Sequence, residues 1–532
     1  MYRTMVALRR LLASLLCCMA SGVAGAANPP PNPFLAAPRL AISHLGSAQT
    51  NALPYPVSRG TQTVVPGSVA QVAAGPVNLM TLASTSADTM WGVSATGVEY
   101  IDVRQHGFKA VARILLPGVQ PATVTRLNAL LASLLKEPVD PQARVALAQS
   151  FLKQLSCGSG GISSAYSVVD NNNVLYLNTG TQILALGVSD GLAGKQINIL
   201  RSIDTTTFLQ AGEALTGIVM TYDGKLVVLG TRSVHILDRS FTGAVPSLVF
   251  GSDESISNSA AVDQNNGIYI VSDKLMRKVV WTGTALSDGA ADGAWSSPYP
   301  TGDTFYTLFG SGSGSTPTLM GFGSGDPDHL VVITDGKKRM GLVAFWRDQI
   351  PAGFTDRIAG QIPVTGGLPS GYTGDIQTDQ SVTVNGYGAF VVNNISASDT
   401  GTTPAVDNLI RGLPGAPPSP LGVERFKWDA QVHAWSSVWA RPDISSDNMV
   451  PAMSSRSKLV LVSGYYPANH QGWTIKGLDW DGTGADVHTT ILGPGLFGNG
   501  AYAMMEFLPN GDLLLNSVLG PARIAEPGAT LR

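Results

Sequence analysis

The chain has 532 residues, of which 13% are charged and 44% hydrophobic, with 60 Gly and a formal net charge of -3. It carries no Lys/Arg run to hold a nucleic acid, and so low a charge content argues against a protein of solvated surface helices. Many short strands joined by tight turns suit this balance better.

Met1 to Ala26 reads as a secretory leader: Arg3, Arg9 and Arg10 precede an apolar run, and Ala24-Gly25-Ala26 forms a small-residue cleavage site. Its removal would take the net charge from -3 to -6, because the leader carries three Arg and no acid. The expected location is therefore periplasmic or secreted. Cys17 and Cys18 leave with the leader, so Cys157 has no partner for an internal disulfide. Roughly 500 remaining residues are enough to bury a self-sufficient core. No later apolar run approaches the roughly 20 residues of a membrane helix, so a chain that does not span a bilayer is expected.

Residues 27–76 are rich in Pro, Ser, Thr and Gly and read as an extended N-terminal arm that lays one strand on the body. The body runs from 77 to 532. Strands around Met90–Val103 and Phe108–Leu115 give way to a helical insertion over 120–157. There Val124, Leu127, Leu131 and Leu134 recur at three and four, as do Val145, Ala148, Phe151 and Leu155. Asp140-Pro141 supplies the second helix with an N-cap and a first-turn proline.

A turn followed by an apolar strand then recurs to the C-terminus. Asp170-Asn-Asn-Asn precedes Val174-Leu-Tyr-Leu, Asp223-Gly-Lys precedes Leu226-Val-Val-Leu, and Gln264-Asn-Asn-Gly precedes Ile268-Tyr-Ile-Val. Further copies begin at Asp326, Asn385, Ser455 and Pro509, and with Ala87–Val93 they number eight. Such a unit repeated every few tens of residues means radial or linear stacking. The expectation is an all-β, seven- or eight-bladed β-propeller with a two-helix insertion between its first and second blades. The last group is one strand short, and the arm before Pro76 is expected to supply it.

Three hairpins, Ala214–Asp238, Asn258–Thr282 and Tyr502–Ile524, resemble the blades of exported propellers of the gluconolactonase, paraoxonase and strictosidine-synthase group. The likeness spans Met90 to Glu526 and lies in blade grammar, so no catalytic residue is carried over. A propeller gathers the residues before its first strands at one channel mouth. Asn258, Asn448 and Asn499, with Glu213 and Asp379, occupy such positions and together make an oxygen set suited to a hard divalent cation such as Ca²⁺. The resemblance implies a metal held in a similar cluster. Asn before a strand also caps turns, and that reading stays open.

His470, among aromatics in a long loop, is the candidate general base. The Pro-rich loop from Asn394 to Leu421 is a candidate cleft wall. Two functions follow as expectations. One is metal-assisted hydrolysis of a small ester, lactone or phosphoester; the other is a propeller that binds a small molecule or a protein without catalysis.

Overall fold

The computed structural model describes residues 26–37, 42, 44–65, 67, 69–72, 78–81, 86, 88–104, 108–136, 140–157, 162–192, 194–301, 312–395, 403–447, 449–469, 471–500 and 503–527. Within these the chain forms eight small antiparallel-cored sheets, each built around strands that follow one another in sequence. The fold is a β-propeller. The eight turn-and-strand copies read from the sequence lead into the second strands of the eight sheets, among them Leu226–Gly230, Gly267–Val271 and Leu330–Thr334.

The reason lies in burial. Those second strands are buried along their whole length, because each sheet packs against a neighbour on both faces, and so they read as continuous apolar runs. Fourth strands face solvent and alternate, as Ile358–Pro363 does. The turns that precede the second strands place Asn173, Gly224 and Asn266 at φ of 60°, 82° and 60°, where Asn and Gly are the least strained residues.

Hydrophobic cores lie between successive sheets. Val93, Val98, Leu175 and Leu184 join the first and second sheets; Ile218, Val228 and Val168 join the second and third. The series continues to Leu459, Leu514 and Met90, which bring the seventh, eighth and first sheets into one cluster. Polar clasps repeat the same connections. Trp281 Nε1 donates to Asp223 Oδ2 at 2.8 Å, and Trp428 Nε1 to Asp328 Oδ2 at 2.7 Å. Each clasp ties a third strand to the first turn of the preceding sheet.

The N-terminal segment does more than the single strand expected of it. Ala70–Gln71 pairs with Gly520–Ile524 and becomes the fourth strand of the last sheet. Ala52–Leu53 and Gly60–Thr63 add parallel strands to both edges of the seventh sheet. Before that, the chain crosses the first strands of four sheets in turn. The carbonyls of Ser47, Ala48, Thr50 and Asn51 accept from the N–H groups of Val262, Leu319, Val384 and Met453 at 2.8 to 3.0 Å. Leu45, Gln49 and Asn51 adopt φ of 61°, 58° and 56°, an uncommon conformation for residues with a Cβ. It aims successive carbonyls at successive sheets.

Three helices gather elsewhere. Helices α1 (Pro121–Leu135) and α2 (Pro141–Cys157) follow the first sheet, and α3 (Pro404–Ile410) lies inside the Pro-rich loop. Asp140 Oδ1 accepts from the N–H groups of Gln142 and Ala143, capping α2. Leu127, Leu131, Leu134 and Phe151 pack on Val406, Leu409 and Ile410, so the two insertions form one cluster. Among the described residues no helix is long and apolar enough to cross a membrane.

Candidate functional site

Connections from first to second strand lie at one end of each sheet, and residues entering the first strands lie at the other. The crossing segment runs close to the first turns, and its Leu45, Ala48 and Asn51 are buried there. Its side chains fill the interior. His44 is buried, stacks on Tyr166 with ring centroids 5.4 Å apart, and has Nδ1 3.3 Å from Asn51 Oδ1. Burial pushes the imidazole pKa down to about 4, against the opposing effect of the Asn51 hydrogen bond.

At the other end, Tyr166 donates to Asn258 Oδ1 at 3.1 Å and lies 3.0 Å from the Thr316 hydroxyl. Burial raises the phenol pKa; the Thr316 bond opposes this and the charge of Asp379 adds to it. Asp379 Oδ1 accepts from Asn394 Nδ2 at 2.7 Å. Gln380 Nε2 reaches the carbonyls of Ser446 and Asp447. Asp447 in turn meets Arg411, Nε to Oδ1 at 3.1 Å, with both side chains wholly buried. Burial raises the Asp447 pKa and the Arg411 charge pulls it back. Arg411 is the first residue after α3, so the helical cluster delivers a cation into the channel mouth.

The sequence-derived set is only partly assembled. Asn258 and Asp379 both bear on Tyr166. Asn499 turns its amide nitrogen to the carbonyls of Asn408, Leu409 and Arg411. Glu213 does not join them: its carboxylate accepts from Arg232 N at 2.7 Å, from Ser233 Oγ at 2.9 Å and from Gln210 N at 3.0 Å, and so holds its own sheet's turn. Asn448 and His470 lie outside the described residues. No group of three or more His, Cys, Asp or Glu that would hold a metal occurs among the described residues. Asn258 and Asp379 are two oxygen donors where Ca²⁺ takes six to eight, so among the described residues the named side chains do not complete such a set.

Other polar side chains near the strand ends also hold their own loops. Asn393 Oδ1 accepts from Gln377 N, and Asp273 Oδ1 from Ser255 N. Glu424 is buried, and its carboxylate accepts from Thr365 N, Gly366 N and Ser437 Oγ. The residues missed from sequence are His44, Tyr166, Arg411 and Asp447. Only Asp447 carried a signal, standing one position before Asn448.

A second concavity lies on the first-turn side. Its walls include Pro29, Pro31, Leu35 and Leu45, and its polar groups include Asn32 and Tyr222. Asn32 Nδ2 donates to the carbonyls of Met220 and Thr221, and Tyr222 OH to Pro30 O at 2.8 Å. The arm thereby supplies most of the lining of this cleft, which is mostly apolar and is completed by Tyr222 and Ser455.

Over 384 residues the chain is 33% identical to an uncharacterized protein of Archaeoglobus fulgidus, covering 68% of this chain and 70% of that one. It belongs to that protein's family. No family model matches the chain. Among solved structures, BamB from Moraxella catarrhalis superposes with TM-score 0.46 at 12% identity, covering 86% of this chain and 98% of its own. Sqt1 from Chaetomium thermophilum gives TM-score 0.46 at 10% identity, covering 87% and 99%. Virginiamycin B lyase from Staphylococcus aureus gives 0.36 at 8% identity, covering 68% and 94%. Likenesses of that strength say nothing about what this member of the archaeal protein's family does.

Proposed function

We propose that this chain is an exported, eight-bladed propeller that binds a small, largely apolar ligand in the cleft that its N-terminal arm forms with Tyr222 and Ser455. The helical pair is a cap on the opposite face. The observation that carries the reading is the cleft itself, with apolar walls from Pro29, Pro31, Leu35 and Leu45, since ligand sites are concave and mostly apolar. A second reading, cation-assisted hydrolysis, is favoured by the meeting of Asn258 and Asp379 around Tyr166, with a divalent metal such as Ca²⁺, Asn448 as a further ligand and His470 as base.

Titration with a small apolar fluorophore, paired with elemental analysis of the purified protein, separates the two. The binding reading expects saturable one-to-one uptake that is lost in Ala37→Trp, which fills the exposed rim of the cleft. Uptake indifferent to that substitution overturns it. Stoichiometric Ca²⁺, Mn²⁺ or Zn²⁺ that disappears in Asp379→Ala would establish the second.

A further inference from the structure

The backbone nitrogen of Ala27 lies 2.9 Å from Asp326 Oδ2. The same carboxylate oxygen accepts from Phe322 N at 2.8 Å and Gly323 N at 2.7 Å, so it is held in place by the first turn of the fifth sheet. Gly323 admits the contact: a Cβ there would come within 3.1 Å of the Ala27 Cβ. Ala27 is also the residue that follows the small-residue triplet Ala24-Gly25-Ala26. From it the chain continues into Asn28 and Pro29, the wall of the cleft.

We infer that the Ala26–Ala27 bond is cut on export and that the new α-ammonium of Ala27 docks on Asp326 as a structural ion pair. An export-linked endopeptidase and water supply the chemistry. The hydroxyl of water goes to the Ala26 carbonyl, its proton goes to the Ala27 nitrogen, and the amine takes up a further proton below its ordinary pKa of about 8. An amide N–H facing a carboxylate thus becomes a cation facing one, and charge-assisted bonds of that kind are roughly twice as strong as neutral ones. A leader still attached would offer only the amide. Removal of the leader therefore tightens the arm against the body, whatever occupies the cleft beside it.

The test is made on the full chain expressed with its leader in an exporting host. Intact mass is expected to correspond to a chain beginning at Ala27, and a different start or a retained leader overturns the inference. Asp326→Asn is then introduced into two forms: the exported protein, and a chain made without export that carries extra residues before Ala27. In the exported form the substitution should lower the melting temperature and speed aminopeptidase removal of Ala27 several-fold. In the extended form the fall should be clearly smaller, because only the bonds from Phe322 N, Gly323 N and a neutral Ala27 amide are weakened there. Equal melting shifts in both forms would mean that Asp326 serves only its own turn, and the ion pair would be refuted. The sign with pH is fixed as well. The pair raises the ammonium pKa in the folded state, so its contribution is full below roughly pH 8 and fades above the folded pKa.

Discussion

His44 shows what a single residue can impose on this fold. It is carried into the channel by a segment whose carbonyls are tied to four sheets, so it cannot withdraw when it gains a proton. Its pKa is about 4 in the folded protein, against about 6.5 in an unfolded chain. The unfolded state therefore binds the proton first. Stability contributed by the neutral ring is full above pH 6.5 and is lost as pH falls toward 4, by about 3 kcal/mol if the whole shift is realised. His44→Phe keeps an aromatic ring against Tyr166 and removes the titration. Urea midpoints measured from pH 7 to pH 4 should fall less steeply in the variant than in the parent. Parallel curves would show that His44 is not the group that senses acid.

Nothing in the sequence marked His44, because a lone His in a Pro- and Ser-rich stretch has no period to place it. Glu213 failed for the opposite reason. Its position before a first strand was read correctly, but a side chain two residues before a strand can turn to the channel or back to its own sheet. The Ser233 hydroxyl and the Arg232 N–H settle that locally.

At the scale of elements, the helices divide by length. Helices α1 and α2 have 15 and 17 residues, long enough for apolar spacing at three and four to stand out. Leu127, Leu131 and Leu134 are buried on that face. Helix α3 has seven residues between prolines, under two turns, and its spacing cannot be told from that of a loop. The consequence is that the pair and the Pro-rich loop looked like separate insertions although they share one core. Phe151 is fully buried in that core with Leu409 and Ile410. Phe151→Ala should cost about 3 to 5 kcal/mol locally. Hydrogen exchange should accelerate across α1, α2 and α3 while the second strands of the sheets stay protected. Acceleration spread evenly over the sheets would mean that the cluster is an integral part of the ring rather than a cap upon it.

For the whole molecule, the repeating unit was legible because each second strand is buried on both sides and most turns before it carry Asn, Asp or Gly. Both signals are local and recur along the chain. The route of the arm was not legible, since Ala52 pairs with Met453 and Gly60 with His488. Partners about 400 residues apart leave no mark on either sequence. Yet the arm is what joins the fourth to seventh sheets by main-chain bonds. Without it, Val262, Leu319, Val384 and Met453 would lose their acceptors, at about 1 to 3 kcal/mol for each N–H that stays buried. Water entering the emptied channel would recover part of that, but it would not restrain the sheets relative to one another.

A chain that begins at Ser58 keeps Gly60–Thr63 and Ala70–Gln71, and so keeps every edge strand except Ala52–Leu53. It should still fold, with a lower urea midpoint. Its transition should also broaden, giving a smaller apparent m-value, because sheets no longer tied through the centre unfold with less cooperativity. A midpoint and slope equal to those of the exported protein would show that the inter-sheet cores alone hold the ring, and that the crossing segment serves the cleft rather than the fold.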